Sequence, residues 1–370
     1  MSKFVFGVLS SLSVVTMVLG IAAHGVDAKP FYQGKRLTML VNFTPGGGAD
    51  RSARVIARHL PRLLPGKPRI IIKNMPGAGG MIAINYVGEV AKPNGLTVTN
   101  FSGGYLFQVL GDEALRVDLR KLEWIAGVGG TTVIYGRKDT KPGLNTATDL
   151  FKIAKAGDFK IAGFRITGLK DLRDRLTLRM LNVKFTPVTG FRGSGKARTA
   201  VLQNEVQAFS DSRAAWFKNV VPNYVNTGMV IPLWHYDRYD AQGNPSPYPG
   251  LASSPSVSQL FKARYGRLPK EEKEWQMISL LQQLHGVMAR NTTMPPGTPK
   301  AAVGEMRAAY MRLSKDPAYL ADAKKSLAFT PEFTSGPEVL RILNETFTKK
   351  EKIRQWLLAF VKEQNELRRR

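Results

Sequence analysis

The sequence predicts an α/β protein of two lobes, each a mostly parallel sheet flanked by helices. Three observations carry this. From Lys35 onward the chain repeats strand, glycine-bearing turn and helix, the signature of parallel strands joined by crossover helices. Similar units resume after Gly129-Gly130. The stretch from Lys29 to Arg370 is also longer than one hydrophobic core usually holds, so two domains are expected.

Taken in order, Leu37 to Phe43 reads as a buried strand that Thr44-Pro45-Gly46-Gly47-Gly48 breaks, and a helix follows to about Leu60 with Val55, Ile56 and Leu60 at helical spacing. Pro61, Pro65 and Pro68 are expected to end it. Arg69 to Lys73 is a second strand, followed by Asn74-Met75-Pro76-Gly77-Ala78-Gly79-Gly80 and a helix over 81–91. Leu96 to Phe101 is a third, closing at Ser102-Gly103-Gly104. Ligands of such sheets sit beyond the carboxyl ends of the strands, where all three turns lie. In the second lobe strands are expected at 131–136, 160–163, 183–187 and 206–209, with helices at 148–156, 171–180 and around 198–202. Gly228 to Trp234 returns the chain to the first lobe. A polar, proline-rich stretch over 237–255 then leads into helices, among them 300–314, 317–326, 338–347 and a charged amphipathic one over 350–370.

The N-terminus addresses the chain outward. Lys3 precedes an uncharged, mostly apolar run from Phe4 to Ala23, and Val26 and Ala28 offer small residues for cleavage. This predicts a secretory signal peptide over 1–28, a mature start at Lys29 and a periplasmic location. An uncleaved anchor is the competing reading, which the serines and glycines of the run weaken. The absence of cysteine excludes a disulfide framework, and four scattered histidines argue against a zinc site. A net charge of +26 draws anions. The basic residues are spread along the chain and no nucleic-acid motif accompanies them, so a solvated basic surface is expected, and no nucleic-acid partner.

Pro45-Gly46-Gly47-Gly48-Ala49-Asp50 is the strongest local signal. Glycines let a ligand approach the backbone, and the unpaired N–H groups of a helix start favour an anion. Asp50 either caps that helix or turns its carboxylate into the cleft. A side chain at Gly47 is expected to block the approach. Gly190 to Ala197 has the glycine and lysine spacing of a P-loop, but Ala197 stands where a magnesium-binding hydroxyl belongs, which leaves a glycine-rich loop facing the cleft. No G-x-S-x-G elbow or evident histidine partnership is present, so no catalytic residue, metal or cofactor is assigned.

These pieces, FTPGGGAD (43–50), NMPGAGG (74–80), KPNGLT (92–97), VTGFRGSG (188–195) and PPGTP (295–299), occur in order along nearly the whole mature chain. Together they resemble the substrate-binding proteins of tripartite tricarboxylate transport systems, the Bug family of periplasmic receptors. The resemblance implies a periplasmic-binding-protein, or flytrap, fold with crossovers near 130 and 235. Residues 29–130 plus 236–370 then form lobe 1 and 131–235 lobe 2. It implies a monomer that captures a small anion, a carboxylate, through backbone amides and bridging water, and serves membrane transporter subunits. By position, Thr44, Gly46, Gly47, Asp50, Ala78, Gly79 and Ser102 would line the first lobe, and Thr167 and Asp211 the second. One departure is the turn 163–170, where Arg165 and Lys170 replace small polar groups, so ligand identity does not carry over. A periplasmic enzyme acting on an anion, and a non-transport sensor or scaffold, are the competing classes.

Overall fold

The computed structural model describes residues 29–153, 159–239, 244–348 and 351–369, and the signal segment expected at 1–28 lies outside them. Strand β1 (Arg36–Val41) is almost wholly buried, because it is the centre of a parallel sheet between β2 (Arg69–Asn74) and β3 (Thr97–Thr99). Helices Gly48–Leu63 and Met81–Glu89 make the crossovers. The first of these outruns the expected stop at Pro61. A proline removes only its own backbone donor, and the final turn closes beyond it through Leu64 N–H on Leu60 O.

β4 (Phe101–Ser102) continues from β3 into an antiparallel sheet ordered β14–β5–β13–β4, in which β5 is Glu123–Val128, β13 Arg290–Met294 and β14 Phe333–Ser335. The chain leaves along β5, passes Gly129-Gly130 and enters the second lobe as β6 (Thr132–Arg137). There β7 (Lys160–Ala162), β8 (Thr186–Val188) and β9 (Ala208–Ser212) are parallel, while β6 and β10 (Val230–His235) pair antiparallel, giving the order β10–β6–β9–β7–β8. The strand–turn–helix units thus supply the parallel strands. In the second lobe the strands at the crossovers supply the antiparallel ones. A short hairpin, β11 (Arg238–Tyr239) with β12 (Pro245–Ser246), follows the return.

The segment after β10 does not go straight back to the first lobe. Helix Val257–Tyr265 packs on β10, burying Leu260 and Phe261 in the same cluster as Trp234. The expectation that all of 236–370 sits on lobe 1 fails here, because this helix's apolar face is taken by the second sheet. Helix Lys273–Met288 then spans the crossover. It pairs Glu274 with Arg179 at 3.1 Å and Gln282 with Arg173, both on helix Leu169–Met180, and Gln282 also donates to Gly130 O at 3.3 Å. The C-terminal helix Glu351–Arg369 bridges likewise: Arg354 donates to Val109 O at 2.9 Å and Glu363 receives Arg179 at 2.6 Å. Among the described residues no helix is long and apolar enough to cross a membrane.

The return crossover also sets a pH response. His235 is fully buried, with Nε2 accepting Tyr248 N–H at 3.0 Å. Burial lowers its pKa to about 4, only partly offset by a backbone contact at Ser254. The unfolded chain takes that proton near pH 6.5, whereas the folded one refuses it until about pH 4. Stability is therefore full above pH 6.5 and falls as pH drops toward 4, by on the order of 3 kcal/mol for this group. Thermal melts between pH 7.5 and 4.5 should show the fall, and His235→Gln should flatten part of it. An unchanged slope in that variant would remove His235 from the account.

Candidate functional site

A cavity of about 90 Å³ lies between the lobes. On the measure by which one water needs roughly 10–15 Å³, it holds a small organic molecule or several waters. The first lobe contributes Thr44, Gly47, Gly48, Ala49, Gly79 and Ser102; the second contributes Lys170, Ser194, Ser210 and Ser212; His285 and Arg290 close it near the crossover. No side chain caps helix Gly48–Leu63 at Gly47. Its first N–H groups are left for a ligand, and the positive end of the helix dipole points the same way.

Glycines let the two lobes touch. A Cβ on Gly48 would stand 2.0 Å from Ser212 Oγ and 2.8 Å from Arg290 Nη2; on Gly193, 2.0 Å from Thr44 Oγ1; on Gly79, 2.8 Å from Arg165 Cβ. The rims are latched as well. Arg165 grips Asp112 through both carboxylate oxygens at 2.8 Å, and Thr167 donates to the same carboxylate at 2.7 Å. Burial raises the Asp112 pKa, but these two partners outweigh it and hold it below the usual carboxylate range. On the other rim Arg51 donates to Asn219 at 2.7 Å, and Phe43 meets Phe164 with ring centroids 5.0 Å apart. The two lobes are thus in contact on both rims.

Of the residues expected at the site, Thr44, Gly47, Gly79 and Ser102 line the cavity, and Gly46, Asp50, Ala78, Thr167 and Asp211 do not. Asp50 is buried behind the turn, where it accepts Gly46 N–H at 3.0 Å, Arg54 at 2.9 and 3.0 Å and Asn74 at 3.1 Å. Burial alone would raise its pKa; Arg54, Gly46 and Asn74 together bring it below the ordinary value. It staples the glycine turn and is unavailable to a ligand. Ala78 takes a left-handed backbone, φ 47°, ahead of Gly79. Thr167 is spent on the Arg165–Asp112 latch. Asp211 fails for a simple reason, the alternation of a strand. Ser210 and Ser212 of β9 face the cavity, so Asp211 faces the opposite way, where it pairs with Arg198 at 2.9 Å and accepts Tyr135 Oη–H at 3.2 Å.

Gly48 and Ser194 belong to the two glycine-rich segments that the sequence places at the cleft, and Lys170 to the divergent turn; Ser210, Ser212, His285 and Arg290 are new to the site. The two serines were within reach, given the strand alternation around Asp211. Nothing local marks Arg290, which arrives from a strand far along the chain. Lys170 is already balanced: its Nζ is 3.0 Å from Asp171, 3.8 Å from Asp174 and 2.9 Å from Ser210 Oγ, over the rings of Phe164 and Phe209. His285 is held neutral by burial first and then by the charges of Arg173 and Arg290.

No family model matches the sequence, and no curated protein is similar to it. Solved structures do match over nearly the whole chain. The periplasmic binding protein BugD is 19% identical with a TM-score of 0.64, covering 90% of this chain and 99% of its own. MatC from Rhodopseudomonas palustris with bound malate is 21% identical with a TM-score of 0.64, covering 87% and 99%. A second R. palustris protein, with adipate, is 17% identical with a TM-score of 0.65, covering 88% and 97%. The chain has the two-lobed α/β fold of these structures.

Proposed function

We propose that this chain is an exported receptor of the Bug type, which closes its lobes on a small organic carboxylate and presents it, chemically unchanged, to the membrane subunits of a tripartite tricarboxylate-type transporter. The observation that carries the reading is the cavity between the lobes, where an uncapped helix start and cationic side chains converge. The fold shared with structures that hold malate and adipate supports it, and the apolar N-terminal run supports export. Ser210, the cavity hydroxyl that stands beside a lysine, donates its proton to Asp174 at 2.5 Å, and no catalytic role is proposed for it.

Binding between lobes favours the closed state, so ligand and closure are coupled. Calorimetric titration with malate, adipate and citrate should find at least one saturable ligand, and small-angle scattering should show the radius of gyration fall at saturation. Failure of all three to bind would overturn the carboxylate reading. Binding with an unchanged scattering profile would overturn closure.

A further inference from the structure

Arg290 is an unusual side chain to find in this position. Its guanidinium opens onto the cavity and the residue is only half-buried, yet loss of solvation alone lowers its pKa to about 10. It remains a full positive charge at neutral pH. Nη1 donates to Ser102 Oγ at 2.9 Å and to Ala289 O at 2.8 Å, both uncharged acceptors. Among the described residues no carboxylate stands within ion-pair range of it, and Nη2 has no hydrogen-bond partner. The other cation facing the cavity, Lys170, has Asp171 and Asp174 beside it, and His285 is neutral. A buried charge without a counter-ion costs stability unless something else neutralises it.

Nη2 points to the start of helix Gly48–Leu63, since a Cβ on Gly48 would lie 2.8 Å from it, and Ser212 Oγ reaches the same spot from the second lobe. A guanidinium, the first helix N–H groups and two serine hydroxyls therefore surround one small volume, all able to donate and none carrying a negative charge. Arg290 also lines a second, smaller cavity of about 30 Å³, enough for roughly two waters.

We infer that Arg290 is the ligand's counter-ion and selects a carboxylate at this end of the cavity through a direct, charge-assisted hydrogen bond from Nη2. The inference deepens the receptor reading and rests on it for the identity of the anion. It requires neutral analogues to be rejected. An amide brings an N–H₂ toward the guanidinium and the helix N–H groups, which cannot accept it, and leaves the guanidinium unneutralised.

The test compares the parent with Arg290→Met, a variant of similar length without charge, in two arms. In the first, melting of the ligand-free proteins is measured with and without sulfate or acetate. The empty Arg290→Met protein should melt above the parent, because an uncompensated buried charge is gone, and these anions should raise the melting point of the parent only. A merely structural arginine would give the opposite, a variant that melts lower. In the second arm malate and adipate are titrated beside their diamides. The parent should prefer the acids, and Arg290→Met should lose roughly 10- to 150-fold of that affinity, the worth of a hydrogen bond to a charged group. If both proteins bind the acids equally, the inference fails and the receptor reading stands. If sulfate stabilises only the parent while acetate and the dicarboxylates bind neither protein, the anion site stands and the carboxylate reading fails. If no anion stabilises the parent, the Arg290 site is overturned.

Discussion

Gly48→Val should leave a folded protein that no longer binds its ligand. Gly48 opens helix Gly48–Leu63 and is not among the positive-φ glycines, so a side chain there meets no backbone strain. What it meets is Ser212 of the opposite lobe and Arg290 of its own. Its Cβ would fall 2.0 Å from Ser212 Oγ, 3.1 Å from Ser212 Cβ and 2.8 Å from Arg290 Nη2. The hydroxyl could rotate away from a single methyl, but the Ser212 Cβ cannot, and valine brings two further methyls into the same gap. Overpacking of this kind costs about 1–3 kcal/mol. Each charge-assisted hydrogen bond that depends on closure is worth a further 1.5–3 or so. Together these place the loss at about two orders of magnitude in affinity or more. The Ser212 clash exists only in the closed form and the long Arg290 side chain can shift aside, so thermal melting without ligand should move little, and scattering with ligand should keep the open profile. Gly195→Ala is the matched control, since a Cβ there touches nothing within 4 Å and the residue lies within helix Ser194–Leu202. It should bind as the parent does. Parental affinity in Gly48→Val would mean that the lobes never come this close in solution.

The weight therefore moves by one residue from Gly47, where the sequence placed it. A Cβ on Gly47 would meet only Thr44 O, at an ordinary 3.7 Å. Sequence shows that a glycine turn lies at a strand end; it does not show which of three consecutive glycines faces the other lobe, because that depends on a contact with Ser212, more than 160 positions away.

The same division runs through the fold. Helices 300–314, 317–326 and 171–180 are expected from apolar spacing and observed at Lys300–Leu313, Pro317–Leu327 and Leu169–Met180. Asp316 caps the second with Pro317 at its first position, a signal written in adjacent residues. Strand β13 is the opposite case. Arg290-Asn291-Thr292-Thr293-Met294 has no hydrophobic alternation and reads as a loop. It is buried because each polar side chain finds a distant partner: Thr293 with Thr99 Oγ1 at 2.9 Å, Thr292 with Tyr310 Oη at 3.2 Å, Asn291 with Gly103 O at 3.1 Å. Such satisfaction is a property of the assembled sheet. The strand that brings the unpaired arginine to the cavity is thus one that local sequence could not reveal.

Asp211 separates a ligand contact from a buried structural pair, and its replacements should behave as the latter. Its side chain is fully buried and that of Arg198 nearly so. Removing one partner of a buried pair strands the other charge, at a cost of about 3–5 kcal/mol. Arg198→Met should therefore lower stability strongly in denaturant titrations, leaving Asp211 with Tyr135 Oη as its remaining polar contact. Replacing both charges by apolar groups of similar size is often close to neutral, so the double variant Arg198→Met with Asp211→Leu should recover most of the loss. The pair lies on the far face of β9 from Ser210 and Ser212, so ligand affinity in whichever variants fold should stay close to that of the parent. A contact residue would give the reverse pattern. If Asp211→Asn melts like the parent but changes the order of preference among malate, adipate and citrate, Asp211 reaches the ligand in solution and the pairing with Arg198 is not the state that binds.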